Sequence, residues 1–537
     1  MRRSVLLLPA VALLVPGRGP APAAPAGELG GTVTSTVGRP IPGVWVTVRR
    51  DGIARTVFTD GRGRYRLAAL TAGRYTLEAW RVGFAPARRE GVEPNGRPRV
   101  VDLALEPATA IEDQLPSSAW LGLLPEGEDK RRFVLDCTGC HQFDRRIVEP
   151  NGAPRTEASW RQRIHQMLQF AGWTSGFPII AASRDPDATA VWLARYLHAG
   201  ARIRLRAPAP PTPETAPVTI TEYDLPRSSD LPHDLVVDGG GRVVVTGMFS
   251  HVMYVLDPAS GRFDETAIPV PNANPRAVEL GPAGDWWVLL GMPQRAAHRT
   301  PSGEWRSFEL GMYPHSMALD EAGGLWFNGH FTKRPGLLAR LDPATGEIRR
   351  WPVPESDRPV EASGPIPYEI RRGPDGTIWG SELAGNRVYR FDPGSDRFTT
   401  WHMPTPHSGP RRLDVGPDGV VWIPEYSGNA LTRLDPATGR FTRYPFPTPD
   451  ALPYVVRVDR TDGLVWIGTA ASDALASFDP TTERFTEYPL PTRGALIRHL
   501  DIDRRTGAVW GAYSPGPAVA PKIVRIERGG PPRRRRG

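Results

Sequence analysis

The sequence predicts a mainly β, multidomain protein with an N-terminal β-sandwich, a small α-helical domain and a C-terminal seven-bladed β-propeller. Three observations carry that prediction. Gly and Pro are abundant, 56 and 59 of 537 residues, which marks many turns. Apolar residues alternate with period two over the first hundred positions and change to helical spacing between about 115 and 200. From 218 onward one unit of forty-odd residues recurs seven times, and a repeat of that length constrains a fold more than any local pattern. With 40% hydrophobic and 23% charged residues, the chain has the composition of a soluble globular protein too long for one core.

Residues 1–26 read as a cleavable signal. Arg2 and Arg3 precede a mostly apolar run from Val5 to Val15, followed by the small residues Ala21 to Ala26. That run is shorter than the roughly 20 residues needed to cross a bilayer, so no transmembrane span is expected. The expected location is periplasmic or secreted. Of the net charge of +8, Arg2, Arg3 and Arg18 belong to the signal and Arg533 to Arg536 to a basic disordered tail, 531–537. The body between them is close to neutral, and nothing points to nucleic acid.

Between 27 and 107, short alternating segments are broken by Gly and Pro: Gly43-Val44-Trp45-Val46-Thr47-Val48, Arg55-Thr56-Val57-Phe58, Tyr75-Thr76-Leu77-Glu78-Ala79 and Val100-Val101-Asp102-Leu103-Ala104-Leu105. This is the pattern of a small β-sandwich. The stretch Phe58-Thr59-Asp60-Gly61-Arg62-Gly63-Arg64-Tyr65, with Leu70-Thr71-Ala72-Gly73-Arg74-Tyr75 and Gly83-Phe84 after it, resembles the carboxypeptidase regulatory-like domain. The resemblance implies a spacer or contact module without catalytic residues.

In the 115–200 domain, residues 128–136 lead into a Cys-x-x-Cys-His motif. Trp160, Ile164, Met167 and Leu168 then share helical spacing, as do Val191, Ala194 and Leu197. The Pro-rich stretch 201–217 is read as a stiff linker.

The propeller, 218–530, is anchored at Pro232-His233, Pro275-Arg276, Pro314-His315, Pro367-Tyr368, Pro410-Arg411, Pro453-Tyr454 and Ile497-Arg498, with intervals of 43, 39, 53, 43, 43 and 44. Most units continue to a Trp-containing strand and an Asp-Pro turn, giving four short strands per blade. The opening piece, 220–226, reads as a fourth strand without its blade, and Ile523-Val524-Arg525-Ile526 as a third strand without its fourth. Pairing the two closes the ring and removes an exposed sheet edge.

The chain has two cysteines, both within Cys137-Thr138-Gly139-Cys140-His141. Thioether attachment of haem needs two thiols spaced for the two vinyl groups and an adjacent imidazole for iron. Cys137 and Cys140 are therefore the expected attachment points of one haem c, and His141 its proximal ligand. A zinc site would need a second ligand pair at similar spacing, and no other cysteine exists. The expected sixth ligand is Met167, with His165 as the alternative and His198 a third choice; His165 points to a different helix face from Met167. The segment resembles a short class of c-type cytochrome domain found fused to other periplasmic modules, with a Trp-x(6)-Met helix after the motif and a Tyr-Leu pair, here Tyr196-Leu197, in the last helix.

The units written as Pro314-His315, Gly324-Leu325-Trp326-Phe327 and Ala339-Arg340-Leu341-Asp342-Pro343-Ala344-Thr345-Gly346 resemble the virginiamycin B (streptogramin) lyase family over nearly all of 218–530. Such lyases open a cyclic depsipeptide by elimination, with Mg²⁺ held by two glutamates, a histidine base, and another histidine one blade earlier. Carried onto this chain, the pattern takes His315 as the earlier histidine and Glu382 as the later glutamate, but its base position holds Tyr368 and its first glutamate position Ile366. Glu425 after Arg411 is a second partial fit, again without a histidine. Loss of the base and one carboxylate removes proton abstraction and tight Mg²⁺ binding. The anchors His233, Arg276, His315, Tyr368, Arg411, Tyr454 and Arg498 recur once per blade, where they either line the mouth of the channel, favouring an anion, or make inter-blade hydrogen bonds.

The expected function is that of an exported c-type cytochrome carrying one electron, with the propeller face binding a redox partner protein or a small-molecule substrate. A lyase-like enzyme and a non-enzymatic cell-envelope binding protein are the alternatives.

Overall fold

The protein was analysed as a computed structural model, which describes residues 27–94, 98–139, 141–173, 184–211, 217–330, 335–358, 360, 364–513 and 519–529; the side chains of 170–173 are not among those described. The expected signal, the tail and Cys140 lie outside the described residues.

The N-terminal domain is a two-layer sandwich. One layer pairs Gly27–Ser35 with Arg64–Leu70, Pro98–Val100 and Leu103–Leu105; the other runs Ile53–Phe58, Trp45–Arg50, Tyr75–Trp80, Ala87–Val92. Alternation puts Leu29, Val33, Val46, Val48, Leu67 and Leu77 between the layers. The second layer does not stop at its own edge. Ile53–Phe58 pairs antiparallel with Val218–Asp224, so this sheet continues into the propeller.

Seven four-stranded antiparallel sheets follow, one per sequence repeat. Their inner strands begin at Pro232, Pro275, Pro314, Pro367, Asp414, Pro453 and Ile497, and each lies beside the next around a closed ring. The last blade takes its outer strand, Val218–Asp224, from the beginning of the array, paired along its length with Lys522–Arg528. The Trp found in six of the seven repeats, Trp287, Trp326, Trp379, Trp422, Trp466 and Trp510, is buried within or between blades. The Asp-Pro residues form turns: Asp257, Asp342, Asp392, Asp435 and Asp479 each accept a backbone N–H two residues on.

Between sandwich and propeller sit five helices: α1 (Ser117–Leu121), α2 (Glu128–Cys137), α3 (Arg145–Val148), α4 (Glu157–Trp173) and α5 (Pro186–Tyr196). Phe133, Phe143, Trp160, Trp192 and Tyr196 pack together as their aromatic core. Two expectations are corrected. Val191 is 48% exposed: the buried residues of α5 are Thr189, Ala190 and Leu193, and of the expected stripe Leu197 is buried and Ala194 packs against the core, so the facing is shifted only at its start. The helical packing also runs on into the expected linker, where Ala201 and Leu205 join the same core and Arg202 makes a two-pronged pair with Glu149. Among the described residues no helix is long and apolar enough to cross a membrane.

Candidate functional site

The helical unit lies against the propeller face where the inner strands begin. Helix α2 starts with Glu128 and Asp129 in its first turn, where carboxylates favour the helix N-terminus, and ends at Cys137. Thr138 stops it: its hydroxyl bends back to donate to the Val134 carbonyl at 2.7 Å. Cys137 is exposed. His141 is half-buried, and its Nδ1 is 2.9 Å from the Gln142 carbonyl, which leaves Nε2 as the ring nitrogen for a metal. Gln142 is in turn fixed by donating to Asp473 of the sixth blade at 2.9 Å.

The two residues between the cysteines rest on the propeller. The Tyr426 hydroxyl donates to the Thr138 carbonyl at 2.8 Å and lies 2.9 Å from the Thr138 hydroxyl. A Cβ on Gly139 would sit 3.3 Å from Nη2 of Arg411. Around this point Lys130 pairs with Asp450, Arg131 donates to the Pro406 carbonyl, and the Ser118 amide donates to the Ala471 carbonyl.

The recurrent anchors do converge. In six blades the inner strand breaks register just after its first residue, so the following side chain leaves the ladder and turns inward. His233 Nε2 is 3.3 Å from Arg276, the His233 and His315 rings are 5.7 Å apart, and His315 and Tyr368 are 4.5 Å apart. Both expected roles are present at once: these side chains meet near the axis, and they bond across blades, as His233 Nδ1 does to the Arg276 carbonyl and His315 Nδ1 to that of Tyr368. Burial, reinforced by Arg276, pushes His233 down to about 3; burial likewise holds His315 and His330 well below the imidazole range.

One layer deeper the charges are paired. Arg412 spans the channel to grip Asp234 through two bonds, at 3.0 and 2.7 Å, and Arg457 and Arg371 each lie 3.4 Å from Glu369. In the upper layer Arg411 is only 1% exposed and faces tyrosines: its guanidinium carbon is 3.8, 4.4 and 5.1 Å from the ring centres of Tyr426, Tyr454 and Tyr368.

Glu382 is buried and already neutralised by Arg387 of its own blade, and Glu425 by Arg443 at 3.1 Å and Thr432 at 2.6 Å. Tyr368 stands at the base position with its hydroxyl bonded to Tyr454. Among the described residues no group of three or more His, Cys, Asp or Glu is placed to hold a metal ion. On α4, Trp160 is buried and Met167 half-buried, while His165 is exposed with Nε2 3.5 Å from Asp187; His198 is exposed. A cleft of about 1030 Å³ lies elsewhere, lined by Trp45, Arg81, Pro210, Asp462, Tyr488 and Arg493 between sandwich and propeller.

The sequence reading missed Thr138, Gly139 and Tyr426. A signal existed: the position just past the second strand is Met248, Gly291, Leu383 and Ala470 in four blades, but Tyr426 in the fifth and His330 in the third.

Fold and site define a lyase-type β-propeller with a regulatory-like sandwich before it and a helical unit carrying Cys-x-x-Cys-His on its face. Residues 356–530 match the virginiamycin B lyase family, and residues 28–106 the carboxypeptidase regulatory-like domain. A streptogramin B lyase structure superposes with a TM-score of 0.52 at 22% identity over 58% of this chain and 97% of that one. A selenomethionine-substituted virginiamycin B lyase from Staphylococcus aureus gives 0.51 at 22%, covering 58% of this chain and 99% of that one. A catalytically inactive form from the same organism, with quinupristin, gives 0.51 at 21% with the same coverage. At these identities the likeness is one of fold. No curated protein matches the chain.

Proposed function

We propose that the protein is an exported electron carrier, periplasmic or secreted, that holds one covalent haem c at Cys137, Cys140 and His141. The propeller face beneath it would receive a redox partner protein or a small substrate. The observation that carries this reading is the presentation of the motif. Cys137 is exposed at the end of α2 and the His141 tautomer is set by a backbone carbonyl, while Thr138 is bonded to Tyr426 and Gly139 lies beside Arg411.

The residues suit the group. The donor set is two thiols and an imidazole in the order thioether attachment requires. The Trp160 indole N–H is buried among these helices with no acceptor among the described residues, a donor left over for a bound group. A haem bound there supplies one-electron redox chemistry, and a thioether as sixth ligand raises its potential. Met167 follows Trp160 and Ile164 at helical spacing on one face of α4, whereas His165 faces out towards Asp187; this favours Met167 as that ligand. The Thr138–Tyr426 bonds hold the motif against the propeller, so little structure need rearrange when an electron arrives.

The lyase reading has the propeller in its favour and the site against it, since Tyr368 replaces the base, Ile366 one carboxylate, and Arg387 occupies Glu382.

Visible spectra of oxidised and dithionite-reduced protein, matured with the cytochrome c assembly machinery, test the proposal. A sulfur-to-iron charge-transfer band that Met167→Ala loses is expected. An unchanged band in Met167→Ala would contradict the assigned ligand, and absence of any haem spectrum would overturn the function.

A further inference from the structure

Two phenols and two guanidiniums meet at the propeller axis. The hydroxyls of Tyr368, from the fourth blade, and Tyr454, from the sixth, share a short hydrogen bond. Arg411 donates to the Tyr368 hydroxyl at 2.9 Å, and Arg498 to the Tyr454 hydroxyl at 3.1 Å. All four side chains are buried.

The charge balance of this group is unusual. Arg412, one residue along, has Asp234 as its counter-ion. Arg411 has no carboxylate within ion-pair reach among the described residues, and its hydrogen-bonding partners there are the Tyr368 and Tyr454 hydroxyls. A buried guanidinium without an opposite charge is costly. The remaining groups facing the pair are Arg412, Tyr426, His315 and His330, and the histidines are neutral, so none of these brings a negative charge. A phenol that releases its proton supplies the missing charge at hydrogen-bonding distance, and the second phenol stays protonated as donor to it.

We infer that Tyr368 and Tyr454 act as a single acid at the propeller axis: the pair gives up one proton more readily than an ordinary tyrosine and then carries one negative charge, with the second phenol donating to the first. Arg411 and Arg498, donating to the two phenol oxygens, stabilise that charge. Burial alone would raise both phenols, but Arg498, Arg411 and Arg412 together draw Tyr454 below the ordinary range while Tyr368 stays above it. Tyr426 ties the pair to the Cys-x-x-Cys-His segment, with its ring 5.8 Å from that of Tyr454 and its hydroxyl on Thr138. The inference does not require haem at that segment.

The test is a pH titration of the full chain labelled with ¹³Cζ-tyrosine, followed by nuclear magnetic resonance, on protein matured with and without haem. Tyrosine ordinarily titrates near pH 10. The expected result is one equivalent titrating at least a pH unit earlier in both preparations. That early step should vanish in Tyr454→Phe and move up in Arg498→Gln. If every tyrosine of the wild type titrates at or above the ordinary value, or the early step survives both Tyr454→Phe and Tyr368→Phe, the inference fails, whatever the outcome for haem.

Discussion

The Tyr426 hydroxyl, on the fifth blade, donates to the carbonyl of Thr138, the residue that follows Cys137, across 288 positions of sequence. This bond satisfies a buried backbone acceptor in the middle of the motif. Tyr426→Phe keeps the ring and removes the donor, so it should cost about 1–3 kcal/mol, the price of an unsatisfied buried carbonyl. Urea denaturation measures the loss, and faster hydrogen exchange in residues 134–142 would localise it. Wild-type stability and exchange in Tyr426→Phe would contradict the docking.

Lys130, on α2, is buried against Asp450 at 2.7 Å, with Glu126 completing its coordination. Removing one partner of a buried pair strands the other. Lys130→Met should therefore destabilise the protein by about 3–5 kcal/mol near neutral pH, and adding Asp450→Asn, which removes the charge and tolerates the positive φ of this position, should recover most of it. Burial pushes the Asp450 carboxyl above its ordinary value even against Lys130. The deficit of Lys130→Met should thus shrink on acidification, because a protonated Asp450 no longer needs the ammonium.

Burial, aided by Arg457 against the pull of Asp234, holds His499 well below the imidazole range; its Nε2 is 2.8 Å from Arg457. The folded state keeps this ring neutral while the unfolded chain takes up a proton below about pH 6.5, so its contribution to stability is full above that value and falls as the pH drops. Half-buried carboxyls such as Glu279 and Asp501 are pushed upward by desolvation and act in the opposite sense, so a single-site comparison is needed. The cost of His499→Gln should be largest at pH 7 and decline by roughly 1.4 kcal/mol per pH unit below 6.5. A cost that does not change with pH would show that folding leaves the ring's titration unshifted, and a cost that grows on acidification would show that the fold holds it charged.

With Tyr368 at the base position and Arg387 on Glu382, incubation with virginiamycin B and Mg²⁺ should yield no linearised product by mass spectrometry. Linearisation abolished by His315→Ala would restore the lyase reading.

Much of this was legible because it is local or periodic. The repeats gave the blades, the orphan strands at 220–226 and 523–526 gave the closure, and Pro followed by His, Arg or Tyr gave the axial ring. What joins the domains was not legible. The bonds Thr138–Tyr426, Lys130–Asp450 and Gln142–Asp473 link positions some three hundred residues apart with no period to reveal them, and the sheet shared by Ile53–Phe58 and Val218–Asp224 depends on an edge either strand could have left open. Val191 was misplaced because an amphipathic stripe on one short helix fixes its facing only to within a residue.

The central claim is that Cys137 and Cys140 carry haem. Intact mass spectrometry under denaturing conditions, on protein matured with the cytochrome c machinery, measures it most directly. Wild type should weigh one haem more than the apoprotein, and the Cys137→Ser/Cys140→Ser variant should show no added mass. A wild-type chain that matures without the added mass would contradict the account and leave the propeller axis as its remaining functional centre.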